Sequence, residues 1–193
     1  MNIEICILAG GQSKRMGQDK GTLVVQNKEM LKHILDMLQN FEIPIRLIAN
    51  QENYQKFGIE LCKDLVKKKG AMGGLYTALA TTKFQKVLVL PCDMPFLPSK
   101  AISLLVDCQK TDDFDSIIAQ VAQRIHPLLG IYQKSLLPKI DVLISQNKLK
   151  MQEFIFSSNY FVLEMDDLAK ENPAYFQNMN TPDALLIGQN SKN

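Results

Sequence analysis

The chain has 193 residues, 46% of them hydrophobic and 22% charged, which suits one globular domain with a sizeable core. Twenty-two basic residues against 20 acidic ones leave a net charge of +2, too even a balance for a nucleic-acid binder that works through a broad basic face. No stretch approaches the roughly 20 apolar residues of a membrane span, and the apolar run at 5–9 is too short for a secretory signal and lacks a basic leader.

In chain order, residues 3–9 predict a buried strand, Ile-rich and stopped by Gly10 and Gly11. Residues 27–39 predict a helix, because Met30, Leu31, Ile34, Leu35, Met37 and Leu38 recur at three- and four-residue spacing. A second strand is expected over 43–49, a short helix over 51–57, and a third strand over Glu60–Cys62, followed by a loop over 63–70. Residues 72–81 are apolar enough for a packed helix, and Lys86–Pro91 is the clearest buried strand. Pro98 suits the first turn of the next helix, which runs to about residue 110, because its missing N–H costs nothing there. Residues 116–120 and 128–132 predict strands and 135–145 a helix. Thr181-Pro182-Asp183 carries the signals that open a last helix over 183–188, before a polar tail.

This alternation predicts a three-layer α/β domain with a mostly parallel sheet, spanning residues 1–193 without a linker or repeat. In such sheets ligands bind beyond the carboxyl ends of the strands. Ala9-Gly10, Asn50, Asp64 and Asp93 follow the first four predicted strands. The four cysteines, Cys6, Cys62, Cys92 and Cys108, form no C-x-x-C pair and sit in or beside apolar stretches, as free thiols of a reducing cytoplasm do. Two histidines, His33 and His126, rule out a histidine-rich metal cluster.

The segment Leu8-Ala9-Gly10-Gly11-Gln12-Ser13-Lys14-Arg15-Met16-Gly17-Gln18-Asp19-Lys20 is rich in glycine and positive charge. Glycines let backbone N–H groups converge on an anion, and Arg15 and Lys20 supply the charge a triphosphate needs. The glycine spacing is neither that of the dinucleotide fingerprint nor that of the P-loop, whose lysine follows its glycine. A surface turn with incidental charge remains open on composition alone.

The same residues resemble the L-A-G-G-x-S-x-R-M-G-x-D-K signature of molybdenum cofactor guanylyltransferases, with every fixed position present. The resemblance implies a three-layer α/β/α, Rossmann-like nucleotidyltransferase fold, with GTP bound by the N-terminal part and molybdopterin by the C-terminal part. It implies that Leu8, Ala9 and Gly10 contact the guanine and ribose region, that Lys20 grips the phosphates, and that Arg15 and the backbone from Gly11 onward cradle the β- and γ-phosphates. Pro91-Cys92-Asp93-Met94-Pro95 resembles the family's magnesium motif, which makes Asp93 the implied ligand of Mg2+ and a catalytic residue with Arg15 and Lys20. Magnesium favours one or two carboxylates plus substrate oxygens; the bland reading of Asp93 is a turn residue.

Asn50 and Asp64 match family residues implied to recognise the nucleoside, although an asparagine ending a strand is more often a plain turn residue. Gly70-Ala71-Met72-Gly73-Gly74 resembles the family's G-P-L-A-G loop, with Ala71 in place of proline and the run Lys67-Lys68-Lys69 before it, which reads as a solvated surface or as an attractor of an anionic pterin. His126-Pro127 and Asn178-Met179-Asn180-Thr181-Pro182 match segments implied to line the acceptor side, with His126 and Asn180 as contacts.

The resemblance thus implies transfer of GMP from GTP to the terminal phosphate of molybdopterin, with transient contact to molybdenum-insertion and acceptor proteins. Two rivals stay open: an enzyme of the same fold making a cytidylyl or sugar conjugate, and a binding partner that presents GTP without catalysis.

Overall fold

The computed structural model describes residues 2–9, 20–109 and 113–179. The predicted helix over 183–188, together with Gly10, Gly11, Arg15 and Asn180, lies outside the described residues. A seven-stranded sheet runs through the molecule in the order β5-β4-β1-β6-β8-β7-β9. Its strands are β1 (Ile3–Leu8), β4 (Ile45–Ile48), β5 (Glu60–Cys62), β6 (Lys86–Pro91), β7 (Ser116–Val121), β8 (Arg124–Gln133) and β9 (Tyr160–Glu164). Every pairing is parallel except those of β8, so the sheet is mostly parallel. β1 is buried at all six positions, as a central strand covered on both faces must be.

Alternate residues of the strands feed two cores. Ile3, Ile5, Ile7, Leu88 and Leu90 pack on one face against Leu31, Ile34 and Leu38 of α1 (Met30–Leu38), Ala101, Ile102 and Leu105 of α3 (Ser99–Cys108), and Leu168 of α6 (Asp166–Glu171). Cys6, Leu8, Val87 and Val89 pack on the other against Leu75, Ala78 and Leu79 of α2 (Gly70–Thr81), Ile140 and Ile144 of α4 (Leu137–Ser145), and Phe154 and Ile155 of α5 (Met151–Phe156). This is the three-layer arrangement. α2 approaches β1 so closely that a Cβ on Gly74 would lie 3.1 Å from Leu8 Cδ1.

Several boundaries depart from the sequence pattern, each for a local reason. The helix expected over 27–39 begins only at Met30. Gln26 and Asn27, with φ of 50° and 62°, instead form the tight turn of a hairpin between β2 (Val24–Val25) and β3 (Lys28–Glu29), since a two-residue hairpin turn demands positive φ. The second strand shortens to 45–48. The expected helix 51–57 is a 3-10 turn, Glu52–Phe57, closed by Gly58. Pro98 stands just outside α3 in extended backbone, and not inside its first turn.

β8 is longer than expected because it accommodates His126-Pro127 in a bulge: residues 118 to 120 of β7 face residues 125 to 130 of β8. There the missing proline N–H breaks no ladder bond. β9, α5 and α6 were not expected at all; β9 becomes an edge strand only by pairing with β7. No helix among the described residues is long and apolar enough to cross a membrane.

Glu4 on β1 is buried and its carboxylate accepts from Arg46 Nη2 of β4 at 2.6 Å, while Arg46 Nη1 donates to Thr81 Oγ1 at 2.9 Å. Burial, with the Glu4 charge beside it, pushes the Cys6 thiol up to about 12, so it stays protonated within this cluster. Removing one partner of such a pair strands the other charge in the core. Arg46→Met should therefore cost about 3–5 kcal/mol in urea unfolding, and pairing it with Glu4→Leu should recover most of that. A single-variant loss near zero would show that the pair is not a buried unit.

Candidate active site

The registers of the parallel strands bring their carboxyl ends level. Leu8 pairs with Ile48 on one side and Pro91 on the other, and Ile48 pairs with Cys62. The ladder closes with Ala9 N–H donating to Ile48 O, Ala49 N–H to Cys62 O and Cys92 N–H to Leu8 O. Two residues beyond each of these ends stand Asp64, Asn50 and Asp93. Since strands lie about 4.8 Å apart, the three intervals from β5 to β6 span roughly 14 Å. That is a row of polar groups on the edge where such sheets bind ligands.

Beyond this edge lies a cavity of about 630 Å3, lined by Leu8, Ala9, Lys20, Asn50, Asp64 and Asp93, together with Gln51, Lys67, Lys68, Lys69 and Leu128. Six of the residues that the family resemblance assigns to the nucleotide thus share one space. At one end, Lys20 Nζ bridges to Asp93 Oδ2 at 3.1 Å, joining positions 73 residues apart. Asp93 is held from behind by Met179 N–H, which donates to its carbonyl at 2.8 Å. Met179 is buried with Leu23, Val25 and Met30, so the segment near Asn178 braces both the Asp93 backbone and the chain that follows Lys20.

At the other end, Asn50 Nδ2 donates to Asp64 Oδ2 at 2.9 Å and Asn50 Oδ1 accepts from Asp64 N–H at 3.1 Å. This reciprocal pair fixes both side chains. The second carboxylate oxygen, Asp64 Oδ1, is buried with no hydrogen-bond partner among the protein groups, a condition that calls for a donor from water or a ligand. Burial raises the Asp64 carboxyl above the usual carboxylate range, offset in part by the Asn50 hydrogen bond.

Four lysines against two carboxylates make the cavity a place for an anion. The run Lys67-Lys68-Lys69 lines it, with Lys68 in left-handed backbone (φ 60°) and Lys69 Nζ tied to Asn147 Oδ1 at 3.0 Å. His126 is not among the lining residues. Its ring lies 6.0 Å from that of Phe176, and burial together with the Arg124 charge holds it below the usual histidine range, hence neutral. Leu128, on the same bulged stretch, reaches the cavity instead. His33 bonds to Val25 O and packs on Phe96, away from the site.

The family model for the MobA-like NTP transferase domain matches residues 5–158. The chain belongs to this family. Among curated members, it is 32% identical over 179 residues to a probable molybdenum cofactor guanylyltransferase of Flavobacterium johnsoniae, covering 93% of this chain and 92% of the relative. It is 32% identical over 182 residues to the molybdenum cofactor guanylyltransferase of Aliivibrio salmonicida, covering 93% and 91%. The fold matches the molybdopterin-guanine dinucleotide biosynthesis protein A of Archaeoglobus fulgidus with a TM-score of 0.81 at 23% identity over 96% of both chains. A CMP:2-keto-3-deoxy-manno-octonic acid synthetase complexed with CTP matches at 0.75 and 14% identity, covering 97% of this chain and 96% of that one, which is a likeness of fold.

In this MobA-like chain, Gln51 and Leu128 line the cavity without having been singled out in the sequence. Neither carries a motif of its own, and each enters as the neighbour of a strand end or a bulge. For a metal, Asp93 is the suitable carboxylate. No group of three or more His, Cys, Asp or Glu that could hold a metal exists among the described residues.

The raised Asp64 pKa has a stability consequence. The folded state holds its proton to higher pH than the unfolded chain, so stability falls as pH rises through that window and the penalty persists at neutral pH. Asp64→Asn keeps an oxygen for Asn50 and removes the buried charge. It should melt higher than the parent at pH 7, with the gap closing as pH drops toward 4; a lower melting point at neutral pH would contradict this.

Proposed function

We propose that this chain transfers GMP from GTP to the terminal phosphate of molybdopterin, forming molybdopterin guanine dinucleotide and pyrophosphate. The observation that carries the reading is the single cavity that holds a lysine–carboxylate pair at one end and an orphaned acceptor at the other, level across four adjacent strands. The roughly 14 Å between the two ends suits a nucleotide lying along the sheet edge. Its donors, the ribose hydroxyls or the guanine N1–H and N2–H2, meet Asp64 Oδ1, and its phosphates meet Lys20.

The acceptor phosphate oxygen attacks the α-phosphorus of GTP in line. A new P–O bond forms, the bond to the bridging oxygen of the β-phosphate breaks, and pyrophosphate leaves with that electron pair. No general base is required, because the acceptor phosphate is already ionised. Lys20 offsets charge on the triphosphate, Arg15, Gly10 and Gly11 add donors to it, and Asn50 holds Asp64 toward the nucleoside. When bound, Mg2+ supplies further charge neutralisation on the phosphates, with Asp93 as its protein ligand. The protein's contribution is positioning and electrostatics.

The Lys67-Lys68-Lys69 wall suits an anionic pterin entering beside the nucleotide, with His126 and Asn180 as further acceptor-side residues. Four free cysteines suit a reducing cytoplasm, where molybdenum-insertion and acceptor proteins would meet it transiently.

The test is pyrophosphate release from GTP, magnesium and molybdopterin. Release with CTP but not GTP would move the assignment to a cytidylyltransferase, and GTP binding without release to a non-catalytic partner. Lys20→Ala and Asp93→Ala should each lower kcat/KM by about 100-fold or more; near-parent activity in either variant sinks its assigned role.

A further inference from the structure

Tyr54 belongs to no motif and does not line the cavity, yet it is the one buried residue of the 3-10 turn Glu52–Phe57 and is 0% exposed. Its hydroxyl donates to Ala9 O at 3.3 Å, at the point where β1 gives way to the glycine-rich segment. The same ring lies under Gly21, where that segment ends: a Cβ built on Gly21 would stand 2.7 Å from Tyr54 Oη, 2.8 Å from Cε1 and 3.1 Å from Cζ. One aromatic side chain therefore meets both flanks of residues 10–19. Ala9 lines the cavity, and so does Lys20, the residue before Gly21.

The surrounding contacts tie this turn to the core and to the hairpin after Lys20. Tyr54 sits in the main core and its ring lies 6.1 Å from that of Phe57. Lys56 Nζ of the same turn pairs with Glu29 Oε1 at 2.5 Å, tying it to the β2–β3 hairpin that Lys20 leads into. Gly21 is buried and has room for no side chain. A buried tyrosine also carries a polar tip that must find a partner, so its hydroxyl orients the ring as well as filling space.

We propose that Tyr54 is a positioning residue for the triphosphate end of the site, setting Lys20 against Asp93 by bracing Ala9 and Gly21 from beneath. The inference rests on the reading of the cavity as a nucleotidyltransferase site, and it adds a residue that acts on that site through the two chain segments it supports.

The experiment compares the parent chain with Tyr54→Phe, Tyr54→Leu, Gly21→Ala and the Gly21→Ala/Tyr54→Leu double variant. Two readouts are taken: steady-state pyrophosphate release with GTP and molybdopterin, and acetylation of Lys20 by acetic anhydride followed by mass spectrometry, with exposed Lys32 as internal reference. Tyr54→Leu removes the atoms that meet Gly21. It should raise the KM for GTP at least about 10-fold and leave the KM for the acceptor within twofold; a general loss of folded protein would lower kcat and move neither KM.

Lys20 acetylation should rise severalfold relative to Lys32 as the Asp93 bridge loosens. Tyr54→Phe, which keeps the ring, should show the same trend at no more than a few-fold. Gly21→Ala should raise the KM for GTP in the parent background yet add less than twofold in the Tyr54→Leu background, where the methyl has space.

Unchanged Lys20 acetylation in both Tyr54→Leu and Gly21→Ala overturns the proposal, as does full additivity of the two substitutions. If Tyr54→Leu does not fold, Gly21→Ala and Tyr54→Phe carry the same readouts. Raised acetylation in a chain whose parent releases no pyrophosphate would keep the positioning role and remove the functional reading.

Discussion

The level ending of four parallel strands is the constraint on which the site depends. β1 is buried on both faces and pairs in parallel with β4 and β6, and β4 in turn with β5. Because side chains alternate with a period of two, a one-residue slip at any of these pairings would turn a whole strand inside out. The two hydrophobic cores therefore lock the register, and the register places Asn50, Asp64 and Asp93 at the same height. The chemistry at the edge is a by-product of packing far below it.

Within that frame the two ends of the cavity behave differently. Lys20 and Asp93 come from distant parts of the sequence and meet as opposite charges, with 30% and 13% of their side chains exposed. Asn50 and Asp64 form a closed, reciprocal pair that leaves one buried oxygen waiting for a donor. One end thus pairs charges, and the other fixes hydrogen-bonding groups. The Met179 contact to Asp93 ties the C-terminal part of the chain into the same arrangement.

The parts of the fold that the sequence makes legible are those whose signal is local. Lys86–Pro91 and Glu60–Cys62 have the predicted bounds, because a short apolar run between polar neighbours has few alternatives. The start of α1 does not, since the apolar spacing of Met30 to Leu38 marks the helix itself, and the hairpin turn at Gln26-Asn27 just before it leaves no apolar signal of its own. β9, with its mixed pattern of exposure, carries almost no periodic signal and owes its existence to the edge of β7. At the site, glycines, lysines and lone carboxylates after strands were visible as candidates. Tyr54 was not, because an apolar position in a short turn looks like any other core residue until both flanks of a distant segment are seen to rest on it.

The sequence by itself determined that buried strands alternate with amphipathic helices, that polar groups follow the strands, and that a glycine-basic segment of recognisable form follows the first. These are properties of neighbouring residues and of periodicity, and they survive in one dimension. Tertiary structure alone decided that Asp64, Asn50, Ala9 and Asp93 stand in one row, that Lys20 reaches Asp93 across 73 residues, and that His126 turns to Phe176 while Leu128 faces the cavity. Strand order, register and bulges are settled by which faces must be buried together, and that competition involves the whole chain at once.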